Sequence, residues 1–192
     1  LSKPDQQHAM KGFLFSYESD GGYNSPEELA SAYLAALKER SGQKIFNMYV
    51  PEELYISGLK AASAAGGRPV TDEEVARQRK RWRDEIYPED EWDDCQGQRT
   101  AHFTNGEFQR RLLQDGFDIN TAQVSAVLPD GWVTTNPFKD SNHLPQAWVF
   151  NTTLRITFTN RPEMYEIDIP DFGYFGRKWY LGRFGNPNYY QV

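Results

Sequence analysis

The sequence predicts an α+β fold in which a curved antiparallel β-sheet packs against helices drawn from the first half of the chain. Capping signals followed by apolar residues at three- and four-residue spacing dominate that half. Alternation of apolar and polar residues replaces them after Ile119. The composition, 39% hydrophobic and 15% aromatic, suits a sheet, because rings fit a pleated, half-buried surface. At 192 residues the chain is long for one domain and short for two. The expected organisation is an N-terminal arm over 1–24, a single domain over 25–184 and a C-terminal tail over 185–192.

The arm has a polar start, an apolar run from Gly12 to Tyr17 and a loop ending at Asn24. Ser25 then offers a cap, Pro26 suits the first helical position and Glu28 follows three residues after the cap, so a helix is predicted over 26–40. Leu29, Ala30, Tyr33, Leu34 and Leu37 form its buried face. A second helical pattern runs from Lys44 to Ala65, broken near Pro51 and closed by Gly66 and Gly67. Thr71 with Glu74 repeats the capping pattern for a helix over 72–87, with Val75, Trp82 and Ile86 as its buried stripe. Residues 87–98 read as a loop, 99–104 as a short strand and 105–116 as a short helix stopped by Gly116.

Strands follow over 121–128 and 132–135, separated by a turn at 129–131, then over 146–159, a turn at 160–163, 164–169 and finally 177–184. In the longest, Trp148, Phe150, Leu154, Ile156 and Phe158 share one face. In the last, parity buries Trp179 and Leu181 and turns Lys178 and Tyr180 outward.

Residues 25–52 as an opening helix pair, 155–169 and 177–184 as closing strands, and the Trp179-x-Leu181 element in the last strand together resemble the NTF2-like (cystatin-like cone) superfamily. The resemblance covers Ser25 to Phe184 and implies a cone whose interior receives Trp179 and Leu181. Two departures stand out: 66–106 is longer than a minimal cone needs, and the first 24 residues are extra. Such proteins include isomerases, dehydratases, transport adaptors, association domains and exported bacterial proteins of unassigned activity, so the fold alone does not choose a function.

The formal net charge of -6 argues against a general attraction to nucleic acid or anionic lipid. No apolar run approaches the roughly 18 residues of a membrane span, and a soluble protein is expected. The start without an initiator Met suggests a mature, exported or periplasmic domain. P-loop, G-x-G-x-x-G, H-E-x-x-H, G-x-S-x-G and C-x-x-C motifs are missing, which removes the usual support for nucleotide, zinc-protease and serine-hydrolase chemistry.

His8, His102 and His143 are scattered, so no metal and no cofactor is expected. Cys95 is the only cysteine, and the acids from Asp84 to Asp94 around it would raise its thiol pKa. These acids also lack calcium-loop spacing. The basic cluster Arg77 to Arg83 reads as a solvated helix face, paired Lys80 to Asp84 and Arg81 to Glu85, in preference to a phosphate site. The tail, with Tyr189 and Tyr190, suits sugar stacking or protein contact and is expected to be mobile.

Two functions of different class follow. The preferred one is a non-catalytic ligand-binding or assembly module whose partners are a small apolar or aromatic ligand or a second copy of the chain. Tyr33, Trp148, Tyr165 and Arg183 are its expected pocket residues. Arg183 is the sharpest choice, because its parity follows the buried pair while its charge needs water or a partner. The alternative is a cone-type isomerase or dehydratase with a general base, either His143 assisted by Asp140 or Asp168. Asp168 would have to turn inward against the alternation that buries Tyr165, Ile167 and Ile169, which demands a bulge.

Overall fold

The structure, a computed structural model, describes residues 15–86, 96–130, 138, 144, 146–159 and 161–192. The first helix, α1, runs Pro26–Lys38. Ser25 Oγ accepts the Glu28 amide at 3.1 Å, while the Glu28 carboxylate reaches back to the Asn24 amide at 2.9 Å. All five apolar residues assigned to its inner face are buried.

The second helical pattern divides. Helix α2 spans Gly42–Asn47, Pro51 caps α3, Glu52–Ala65, and Met48 to Val50 between them run beside the sheet. Helix α4, Asp72–Ile86, opens on a reciprocal capping box between Thr71 and Glu74. Trp82 and Ile86 are buried, and Val75 is half-buried.

The stretch 99–104, expected as a strand, is helical. Helix α5, Gln96–His102, continues through a π turn, Phe103–Glu107, into α6, Phe108–Gln114. Buried Gly97, Ala101, Thr104, Phe108 and Leu112 recur at three- and four-residue spacing, a helical rather than an alternating pattern. Bare backbone at Gly42 lets α5 come close: a Cβ there would lie 2.0 Å from the Ala101 carbonyl oxygen.

The sheet is antiparallel, curved and not closed. Its order is β1-β2-β3-β4, from Ala122–Asp130, Ala147–Phe158, Arg161–Phe175 and Lys178–Leu181. A fifth strand, β5, Asn188–Gln191, pairs with Tyr165 to Asp168 of β3, on the same edge as β4. Residues 188–191, expected within a mobile tail, therefore belong to the sheet. Pro129 and Asp130 remain paired in β1, so the turn expected at 129–131 starts no earlier than residue 131, which with 132–135 lies outside the described residues.

β3 and β4 join through Gly176 and Arg177 at φ 55° and 65°, the pair of positive angles that a two-residue type I′ hairpin requires. Two tyrosines guard the outer edge of β4: Tyr23 exchanges both backbone bonds with Trp179, and Tyr49 sits beside Leu181.

The inner face carries Phe150, Leu154, Ile156, Phe158, Tyr165, Ile167 and Ile169, all buried. Trp148, assigned to the same face, is 44% exposed, stacked on Phe150 beyond the end of the core. Trp179 is fully buried among Phe138, Phe150 and Tyr174. Tyr180, expected outside, is 3% exposed. The Gly21–Gly22 turn lies over its ring, and its hydroxyl donates to the Gly21 carbonyl at 3.2 Å.

One irregularity decides what faces the opposite side. β2 keeps its parity throughout, but pairing with β3 slips between Phe150–Phe172 and Thr152–Ile169, so Pro170 and Asp171 together oppose Asn151. This bulge exchanges the two faces of β3. Beyond it Asp171, Gly173 and Phe175 point away from the main core, towards the α3–α4 pair.

Candidate functional site

Where α3 and α4 lie over that second face, a cleft of about 200 Å³ opens to solvent. It draws Tyr49 from the segment before α3, Tyr55 from the first turn of α3, Arg81, Trp82 and Glu85 from α4, Val149 from β2, Asp171 from the bulge, and Gly182 with Arg183 from just after β4.

Each wall has a local cause. Trp82 Nε1 donates to the Val50 carbonyl at 2.8 Å, and Tyr17 Oη donates to the Tyr49 carbonyl at 2.7 Å. These bonds lock the segment before α3 between α4 and the arm. Tyr49 stacks on Phe184 at 4.4 Å and on Trp82 at 6.2 Å, so the aromatic wall is held in place by other rings. Tyr55 Oη donates to Gln78 Oε1 across the helix pair at 3.0 Å. Arg79 and Arg83 bind Glu52 and Glu53 on α3, and this fixes the pitch of α4. At the other wall the Gly182 amide donates to the Asp171 carbonyl at 2.7 Å, which continues the β4 pairing past the bulge and delivers Arg183 to the rim.

Two acids, two arginines and two tyrosines share the cleft. Burial pushes the Glu85 carboxyl above its usual range, against the opposing pull of the Tyr49 hydroxyl and the Arg81 and Arg183 charges. Burial likewise raises Asp171, and the Arg183 charge works against it. Burial first, then the Glu85 charge, raises Tyr49 well above the usual phenol value. Arg183 Nε stands 3.5 Å from Asp171 Oδ2, with 63% of the arginine side chain exposed and 13% of the aspartate's. Sheltered acids therefore sit behind exposed guanidinium groups.

Of the four pocket residues expected from sequence, Arg183 lines this cleft. Tyr33 and Tyr165 are buried in the main core, Tyr165 edge-on to Phe117 and Phe158. Trp148 stands on the rim of the sheet. Asp168 does not turn inward: the bulge comes after it, and its carboxylate is exposed, accepting from Thr153 Oγ1 and Tyr190 Oη, both at 3.1 Å. His143 and Asp140 lie outside the described residues. The expected Lys80–Asp84 pair forms at 3.0 Å, but Arg81 and Glu85, expected to pair on a solvated face, line the cleft.

Sequence reasoning missed Glu85, although a signal was present. Three residues after buried Trp82 on a helix, it borders the buried stripe. Asp171 carried no such signal, since alternation cannot place a bulge. Among the described residues, no group of three His, Cys, Asp or Glu side chains could hold a metal ion, and no helix is long and apolar enough to cross a membrane. The fold and site together define an α+β protein with an open, aromatic-walled cleft that holds charges of both signs. Set against family models, curated proteins and solved structures, the chain matches none, so the chemistry is read from its own side chains.

Proposed function

We propose that the protein is a binding module that holds a small aromatic ligand in the cleft between α4 and the β3 bulge. The helix-then-meander order supports placing it with the NTF2-like cone proteins, but the ligand lies on the second face of the sheet rather than inside the cone. The observation that carries the reading is that Tyr49, Tyr55 and Trp82 together line the cleft, Tyr55 half-buried and the other two largely buried, with Tyr55 and Trp82 pinned by hydrogen bonds and Tyr49 stacked on Trp82 and Phe184. Rigid aromatic walls bind rings without an ordering cost.

The test is ligand-observed NMR with neutral single-ring compounds, benzamide first, on the protein and on Trp82→Leu. Saturation transfer that is present in the protein and lost in a folded variant supports the reading. Equal transfer in both removes it.

A second reading has one observation in its favour: two carboxyl groups, Glu85 and Asp171, face the same cleft from partly buried positions, a setting that suits a general base. Incubating the protein with enolisable ketones in D2O, and following loss of the α-proton signal, tests it. Exchange above buffer that disappears in Glu85→Gln favours an isomerase-type activity, and exchange at the buffer rate rules it out.

A further inference from the structure

We propose that the cleft selects an aromatic carboxylate over a neutral ring, seating its anion on Arg183 with Arg81 behind it, and that Asp171 takes up a proton as the anion arrives. This rests on the cleft being a ring-binding site and goes on to the charge of the ligand.

Size sets the scale. A dry cavity of about 150 Å³ accepts benzene, so a cleft of about 200 Å³ has room for one ring and a small polar substituent. A longer, fused-ring ligand would extend into solvent.

Charge sets the sign. Arginines elsewhere on α4 are committed: Arg79 makes three bonds of 2.5 to 3.1 Å to Glu52 and Glu53, and Arg83 reaches Glu52. Among the described residues, the cleft guanidinium groups are not saturated in this way. Arg183 has, among the described residues, one loose contact, 3.5 Å from Asp171, outside the roughly 2.7–2.9 Å of a strong charge-assisted bond, and most of its side chain is exposed. Arg81, also exposed, acts on Glu85 and Tyr55 by its charge. The acids lie deeper: Asp171 is enclosed by the bulge, and Glu85 lies against the Tyr49 hydroxyl. An incoming ligand meets cations first, and the planar fork of arginine matches a carboxylate.

Proton uptake follows from the same arrangement. The charged groups lining the cleft around Asp171 are Arg183 from the β4 end and Arg81 and Glu85 from α4, with the Tyr49 and Tyr55 hydroxyls; Val149 on β2 adds only apolar surface. Arg183 is the cation that steadies the ionised Asp171 against burial. A ligand carboxylate on Arg183 offsets that cation and adds a negative charge nearby, so both effects favour the neutral acid. Binding then strengthens as pH falls, as long as the ligand itself stays ionised.

Calorimetry with benzoate and benzamide tests this, run at mildly acidic and neutral pH in buffers of different ionisation heat. The expected result is benzoate binding at least about tenfold tighter than benzamide, with a buffer-dependent heat showing proton uptake. Arg183→Met is expected to remove the benzoate preference and leave benzamide binding. Asp171→Asn is expected to abolish proton uptake and retain benzoate. Equal binding of the two compounds overturns the anion proposal and leaves the ring site standing. Benzoate binding without proton uptake overturns the role of Asp171. Binding of neither compound to the folded protein removes the ring site and the proposal with it.

Discussion

Arg183 Nε and Asp171 Oδ2 lie 3.5 Å apart, twelve positions apart in the chain and on either side of a tight hairpin. Neither strand's alternation accounts for the meeting. Asp171 turns to this face because the bulge reverses the parity of β3, and Arg183 arrives because Gly182 pairs with Asp171 after β4 has ended. The pair is half in water, so its own contribution to stability is small. Its consequence is a cleft in which a cation is held but not neutralised.

Replacing Arg183 with Met is expected to leave thermal stability within about 0.5 kcal/mol of the parent, as for exposed side chains generally, while removing the preference for an anionic ring. Unfolding and calorimetry on one preparation check both halves. A large loss of stability would make Arg183 a structural residue.

Trp82→Phe keeps most of the ring but leaves the Val50 carbonyl without its 2.8 Å donor. An unsatisfied buried carbonyl costs about 1–3 kcal/mol, so the urea midpoint is expected to fall with an unchanged slope. An unaltered midpoint would show that water replaces the indole without penalty.

Glu85 gives a pH dependence whose sign is opposite to the common carboxylate case. Burial raises its folded pKa above the ordinary 4.5, so between those two values the folded state holds more protons than the unfolded one. Stability from this group is lost as pH rises through that window and is regained on acidification. Glu85→Gln is therefore expected to melt higher than the parent at neutral pH, with the gap closing as pH falls. Glu53, lowered chiefly by its hydrogen bond to Arg79, works in the opposite direction but is common to both proteins and cancels in the comparison. A gap that widens on acidification would refute the assignment.

A Cβ at position 97 would lie 2.4 Å from the Glu85 carbonyl oxygen and 2.8 Å from the Phe184 ring. Gly97→Ala is expected to push α5 away from the end of α4, at about 1–3 kcal/mol, and to weaken ring binding, because Phe184 supports Tyr49. Chemical denaturation and the benzamide titration report the two effects.

Arg177 sits at φ 65°, where a side chain costs roughly 1–2 kcal/mol. Glycine there would lose about 0.5–1 kcal/mol through extra freedom in the unfolded chain. Relief of strain is the larger effect, so Arg177→Gly is expected to raise the melting temperature slightly. A lower melting temperature would mean that the arginine makes a stabilising contact in solution.

Local signals in the sequence determined the α+β order, the caps at Ser25 and Thr71, the inner faces of α1 and α4, and the burial of Leu154, Ile156, Tyr165, Ile167, Trp179 and Leu181. All of these depend on spacing within one element, and spacing is written in the chain. Only the tertiary structure decided that 99–104 is helical, that 188–191 joins the sheet, and that Tyr180 is covered by the Gly21–Gly22 turn. Each of these depends on a partner distant in sequence. The cleft belongs to the second group. Its residues run from Tyr49 to Arg183, and they meet because a bulge reverses a strand and a helix pair crosses it, events fixed by long-range packing rather than by local periodicity. Arg183 drew notice because a buried parity and a permanent charge conflict at a single position, but it reaches the cleft through the Gly182 pairing after β4 has ended and not through that parity; its partner Asp171 carried no local signal.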